Sequence, residues 1–177
     1  MLGRPSKVRS GRKAPTSHND ELQSLFKLFS TVAKRTTHAE YQKIANFLKK
    51  PRVHRSIVNL KKLVEYTAPC QDKIAVVVAK IVGEDSIVAV PHPIKVACLD
   101  ISRAAKARIE KYGGQVFKLD ELFSVAPTPD QFVIFQGPLK ARKAYQYFGV
   151  PGDRHRPARP RVISKGSEKR KKRAVQK

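Results

Sequence analysis

Acidic residues are scarce in this chain. Only 14 Asp and Glu stand against 37 Lys and Arg, so 177 residues carry a formal net charge of +23 and a pI of about 10.4. A surplus of that size repels itself and weakens a compact state unless a polyanion neutralises it. Nucleic acid is the natural polyanion, because phosphate neutralisation releases condensed counterions. An anionic membrane surface fits less well, since no basic helix with a strongly apolar opposite face is present. Cysteine is nearly missing as well. Cys70 and Cys98 are the only two, and no C-x-x-C occurs. That excludes a disulfide framework and a cysteine zinc site, and predicts two reduced thiols in a cytosolic setting. No run of about 18 apolar residues exists, so no membrane-spanning helix is expected. Residues 1–13 are polar and basic with no apolar h-region, so secretion is not expected.

Catalytic and cofactor signatures are missing too. Neither G-x-G-x-x-G nor G-x-x-x-x-G-K-[ST] appears, so no loop is predicted to cradle a nucleotide phosphate. His18, His38, His54, His92 and His155 are the five histidines, and none pairs with a second His, Cys or carboxylate at metal-ligand spacing. The acidic pairs Glu84-Asp85 and Asp120-Glu121 fit a turn and a helix start better than a general acid–base pair. The expectation is no catalytic residue, no metal, no cofactor, no small-molecule substrate and no enzyme.

What is present is a core. Leu, Ile, Val and Phe number 47, about 27% of the chain, above the roughly 20% below which highly charged chains stay disordered. Of these, 39 fall in residues 14–137, which hold 18 basic and 12 acidic residues. Residues 1–13 hold 5 basic and no acidic residues, and residues 138–177 hold 14 basic and 2 acidic. Ends so poor in core formers cannot offset chain entropy alone. The expected organisation is a basic arm over 1–13, one domain over 14–150 (helical 19–66, α/β 70–150) and a basic extension over 151–177.

Inside the domain, Leu22, Leu25, Phe26, Leu28, Phe29, Val32 and Ala33 lie at helical spacing over 20–35, with Asn19 as N-cap. Thr37 to Glu40 has capping-box spacing and opens a second helix, with Tyr41, Ile44, Ala45, Phe47 and Leu48 inward and Pro51 as its stop. A third helix is predicted over 56–66, with Ile57, Leu60, Leu63 and Val64 as its apolar face. Ile74 to Val82 is rich in β-branched residues and reads as a strand buried on both faces. Gly83 to Asp85 predicts a turn into a second strand at 86–90, together a hairpin. Strands at 95–101, 116–119 and 132–135 follow. Ser102 caps a helix to Tyr112 that Gly113-Gly114 ends. Asp120 caps a brief helix, and Gly137-Pro138 turns into a last helix with Ala141, Ala144, Tyr145 and Phe148. The fold class is α/β, an irregular strand-strand-helix unit behind an N-terminal helical segment, with extended basic arms.

The chemistry that remains is cationic. The first arm offers Arg4, Lys7, Arg9, Arg12 and Lys13 among Gly, Ser and Pro, a composition suited to irregular RNA surfaces. Lys34 and Arg35 end the first helix. Lys49, Lys50, Arg52 and Arg55 cluster where the second and third helices join. Arg103, Lys106, Arg108 and Lys111 give one helix a basic face beside the single acid Glu110. Lys140, Arg142 and Lys143 lead into Arg154, His155, Arg156, Arg159, Arg161 and Lys165, interleaved with proline and glycine that keep the chain extended. Lys169 to Arg173 has the form of a nuclear-import tract.

Several stretches carry a resemblance. Lys95-Val96, Ile101 to Ala104, Ala107 to Ile109, Gly113-Gly114 and Leu119 to Leu122 are among them. Gly137-Pro138, Lys140, Arg142, Ala144-Tyr145, Tyr147 to Gly149, Pro151-Gly152 and Arg161 to Gly166 carry it most strongly. Leu25 to Leu28, Ala33 to Thr36 and Ile74 to Val78 extend it to the N-terminal part. In this order the chain resembles the eukaryotic and archaeal large-subunit ribosomal protein L-eighteen family. The resemblance implies the α/β fold shared with bacterial ribosomal protein L-fifteen. It also implies a structural, non-catalytic role in the large (60S) subunit, with large-subunit rRNA and neighbouring ribosomal proteins as partners. The expected location is the cytoplasmic ribosome, with nuclear and nucleolar passage during assembly. The alternative is a non-ribosomal RNA-binding or chromatin-associated basic protein.

Overall fold

A computed structural model describes residues 11–84, 86–87, 89–140, 143–149, 152 and 158–159. The chain divides into two compact units, one through Pro138 and one from Leu139 onward.

The first unit opens with α1 (Asp20–Arg35), which begins and ends where its signals lie. The Asn19 side chain accepts from the Leu22 N–H, Asp20 and Glu21 face the positive helix start, and Lys34 and Arg35 occupy the last turn. After three intervening residues α2 (Ala39–Leu48) starts, and the two helices pack on each other. The expected capping box is not made. His38 occupies the N-cap without a side-chain bond, one position later than a Thr37 cap requires.

Five strands form one sheet: β1 (Val58–Asn59), β2 (Ile74–Val82), β3 (Lys95–Ile101), β4 (Gln115–Lys118) and β5 (Phe132–Phe135). All four strand pairings are parallel, and β2 is the centre. β3 lies along one edge of β2, and β4 lies beyond it. On the other edge β5 pairs with Ile74 to Val77 and β1 with Ile81 and Val82. The two short strands thus lie end to end. Ser56 Oγ donates to the Gly137 carbonyl where they meet. A Cβ on Gly137 would lie 2.5 Å from the Ile57 carbonyl oxygen, so this junction demands glycine.

Parallel pairing needs covered faces, and two apolar layers supply them. Ile74, Val76, Val78, Ala97, Leu119 and Phe132 pack with α1, α2 and α5 (Leu122–Val125). There the Phe29 ring lies tilted 5.0 Å from Phe123, and Tyr41 lies 5.8 Å from both Phe123 and Phe132. Such pairs add about 0.5–1.5 kcal/mol each beyond burial. Ala75, Val77, Ala79, Ile81, Val96 and Cys98 face α3 (Leu60–Thr67) and α4 (Arg103–Lys111). Along β2 the alternation is the period-2 signature of a strand buried on both sides.

Four further expectations are corrected. The helix predicted from 56 begins at Leu60, because Val58 and Asn59 pair with the free end of β2; Val58 is buried while Ile57 is 49% exposed, which inverts the predicted helical phase. No hairpin strand appears at the described residues of 86–90. Both edges of β2 are already taken by parallel partners, so a returning strand has no edge to join. α5 takes Glu121, not Asp120, at its N-cap, and Glu121 Oε2 instead accepts from the Lys118 N–H at 2.9 Å. In the second unit, a 3₁₀ turn at Lys143–Tyr147 stands where a helix was expected, with Ala141 outside the described residues. Around that turn Tyr145 meets Phe148 edge-on at 6.2 Å, and the Arg159 N–H donates to the Gln146 carbonyl at 2.6 Å.

Candidate nucleic-acid interface

The fold sorts the candidate cations by how free their head groups are. Arg4, Lys7, Arg9, Arg142, Arg154, His155, Arg156, Arg161 and Lys165 lie outside the described residues. Lys13, Lys34, Arg35, Arg52, Arg103, Lys111, Lys140, Lys143 and Arg159 are exposed. Arg12 is exposed too, with Nη1 donating to Thr16 Oγ1 at 3.3 Å. Lys34 and Arg35 sit at the turn between α1 and α2, while Lys49 and Lys50 sit at the far end of α2, so the helix pair holds cations at both ends.

The α4 face is less uniform than its sequence suggests. α4 is fixed at its start by Ser102, whose Oγ accepts from the Ala105 N–H at 3.3 Å and from the Gly83 N–H at 3.1 Å. Ala105 and Ile109 turn inward. Lys106 pairs with Glu110 at 3.7 Å on the same face, a contact worth under about 1 kcal/mol when exposed. Arg108 is half-buried and donates from Nη1 to the Glu84 carbonyl. Its guanidinium ties α4 to the loop after β2 and so serves the fold. Arg103 and Lys111 remain as outward cations, the latter 6.0 Å from the ring of Tyr112.

The α2–β1 junction is the densest cluster. Lys49, Lys50 and Arg55 are half-buried and Arg52 is exposed. Lys50 Nζ lies 4.5 Å above the ring of Phe47, within cation–π range. Burial pulls the Arg55 guanidinium below its ordinary pKa, and neighbouring Arg52 adds to the shift; an arginine so placed still carries its charge at neutral pH. The candidate set omits Lys61 and Lys62 on α3, which belong to the same surface run. The signal that finds them is the run itself: the 24 residues between Glu40 and Glu65 hold seven Lys and Arg and no acid.

Acid–base and metal chemistry has little to work with among the described residues. No group of three or more His, Cys, Asp or Glu is placed to hold a metal ion there. Among those residues, no helix is long and apolar enough to cross a membrane. His92 serves the fold, with Nε2 2.8 Å from Thr67 Oγ1. The Thr67 hydroxyl also lies 2.9 Å from the Leu63 carbonyl, so the pair fastens the end of α3. Cys98 is buried, and desolvation, with Asp100 adding to it, pushes its thiol up to about 12.

Fold and surface together define a small parallel α/β domain that presents cations on a rigid core. The chain belongs to the family described as ribosomal protein 60S L18 and 50S L18e, whose model matches residues 3–177. It is 34% identical over 170 residues to the large ribosomal subunit protein eL18 of Cicer arietinum, covering 96% of this chain and 92% of that one. It is 33% identical over 162 residues to the large ribosomal subunit protein eL18A of Schizosaccharomyces pombe, with 89% and 85% covered. The eL18 protein of Theileria parva is 32% identical over 160 residues, with 89% and 84% covered.

Proposed function

We propose that this protein is a structural constituent of the large ribosomal subunit. It binds and stabilises large-subunit rRNA and contacts neighbouring ribosomal proteins. The observation that carries the reading is the family match along nearly the whole chain. The charge distribution supports the mechanism. Residues 14–137 form an ordinary, mildly basic domain, and the excess lies at the two ends. Phosphate contacts from exposed cations fix position without reading sequence. A basic arm over 1–13 and an extension over 151–177 flank a domain over 14–150, and reach between RNA helices that would otherwise repel each other. The role is architectural and non-catalytic. The protein works on cytoplasmic ribosomes after passage through the nucleus and nucleolus, with Lys169 to Arg173 as an import tract.

Gradient sedimentation tests the reading. The tagged chain is expected to sediment with large subunits and to stay with them after a high-salt wash. Recovery in the free fractions or on chromatin would favour the non-ribosomal alternative. Removing residues 1–13 and 151–177 should lower rRNA affinity and flatten the slope of log affinity against log salt. An unchanged slope would sink the arm mechanism.

A further inference from the structure

Between the end of β5 and the start of β1, the edge of β2 is left unpaired at Val78 and Ala79. A cavity of about 10 Å³ lies there, lined by Phe47, Arg55, Ser56, Phe135 and Gln136 together with those two residues. That volume suits a single water. Arg55 Nε and Nη1 are enclosed with no hydrogen-bond partner, while Nη2 is not enclosed. Lys50 stands over Phe47, the ring that walls the same cavity. Two residues from Arg55 on either side in sequence, Val53 and Ile57 are 46% and 49% exposed. No acid lies within the surrounding 24 residues to neutralise Arg55 from its own segment.

A charged guanidinium with Nε and Nη1 enclosed has a restricted plane, so the contact left to it is through Nη2. We propose that Arg55 is a pre-oriented phosphate-binding residue at the centre of an RNA contact formed by the α2–β1 junction. Lys50 and Arg52 flank it, and Val53 and Ile57 pack on the sugar and base surface beside the bound phosphate. The inference rests on the reading that the protein binds rRNA, and it assigns a position to one contact. RNA is the occupant rather than an acidic protein segment because the surrounding 24 residues hold seven Lys and Arg and no acid, a charge density that a row of phosphates neutralises. Lysine cannot replace Arg55. Its one nitrogen either sits in the cavity or reaches out, and cannot do both.

The test separates geometry from charge. Full-length wild-type, Arg55→Lys, Arg55→Gln and Lys49→Gln chains are titrated with deproteinised large-subunit rRNA across a range of salt. Arg55→Lys keeps the charge, so it should retain the wild-type salt slope while losing about tenfold in affinity. Arg55→Gln should lose at least as much and flatten the slope by about one phosphate contact, about 0.7–0.9. Lys49→Gln should flatten the slope by a similar amount and lose less than about threefold. Arg55→Lys within twofold of wild type overturns the proposal while leaving the rRNA reading intact, whereas no rRNA binding by the wild-type chain overturns both. In case the variants fold poorly, the Nε–H resonance of Arg55 in the wild-type chain gives a second readout. It should shift on adding rRNA and stay put with polyglutamate. A shift with polyglutamate alone, or with neither, overturns the assignment.

Discussion

Gly113 and Gly114 stand side by side at the end of α4, yet the structure asks opposite things of them. Gly113 has φ +76, and a Cβ there would meet no atom within 4 Å. Gly114 lies outside the positive-φ region, but its Cβ would fall 2.5 Å from the Ile94 carbonyl oxygen and 2.6 Å from Ile109 Cγ2. Neither neighbour yields easily. The Ile94 carbonyl accepts from the Gln115 N–H at 2.9 Å, holding the start of β4, and Ile109 is 1% exposed. Gly113→Ala therefore carries a left-handed strain of about 1–2 kcal/mol, offset by about 0.4–1 kcal/mol from a stiffer unfolded chain. Gly114→Ala adds overpacking of about 1–3 kcal/mol and threatens a backbone bond worth about 0.5–1.5 kcal/mol. The expected losses are about 1 kcal/mol for Gly113→Ala and about 3 kcal/mol for Gly114→Ala, the latter lowering Tm by about 6–12 °C. Urea unfolding followed by far-ultraviolet circular dichroism reads both as midpoint shifts at constant slope. Equal losses, or a larger loss at Gly113, would show that the close approach of β4 to α4 is not what fixes this corner.

Two further predictions concern single side chains. Asn19→Ala should cost about 1 kcal/mol, because its Oδ1 accepts from the Leu22 N–H at 3.1 Å. Thr37→Ala should stay within about 0.5 kcal/mol of wild type, because it does not occupy the α2 cap; urea midpoints that reverse this order would restore the capping box. Cys98 should resist thiol reagents in the native chain at mildly alkaline pH, while half-buried Cys70 reacts. With the folded thiol raised to about 12 from 9.0, the stability it contributes is full below about pH 9 and is lost as pH climbs toward 12. Cys98→Ala should lose less stability over that window, and parallel pH profiles for the two proteins would refute the assignment.

What the sequence discloses follows from period and caps. The nine-residue run Ile74–Val82, the seven-residue run Lys95–Ile101 and the helices capped by Asn19 and Ser102 are each specified by local pattern, and the structure places them at those residues. Pairing is not local. Nothing in Ser86 to Val90 announces that both edges of β2 are already occupied, so an apolar run after a turn looks like a hairpin arm. Val58 and Asn59 form a strand only because β5 stops at Phe135 and leaves the end of β2 open. Ile57, Leu60 and Val64 meanwhile mimic a helical stripe. The same limit applies to the candidate interface. Charge clusters are visible in the chain as runs, but their division into free, paired and enclosed head groups depends on contacts across the fold. Arg108 and Arg55 look alike in sequence. One is held by the Glu84 carbonyl and the other faces a gap in the sheet.

The acids of the first unit stand where its helices and strands must pack against the repulsion of a net charge of +23. Asp20 and Glu21 lie at the start of α1, Glu40 pairs with Lys43 at 3.7 Å, and Asp100 meets Lys80 across β2 and β3 at 2.8 Å. Each contact is exposed and individually weak. Their effect is local: they lower repulsion where helices and strands must pack. Beyond Lys43, the acid-free stretch from Tyr41 to Val64 has no such ion pair among the described residues, and it holds both the sheet junction and the enclosed guanidinium. An external phosphate would supply the missing negative charge at that place. Binding should therefore stabilise the α2–β1 junction more than the rest of the sheet. Hydrogen exchange with and without bound rRNA should show added protection concentrated at residues 47–59, above that of β3. Uniform protection across the sheet would mean that the cations only hold the domain near RNA and that the junction is not a contact.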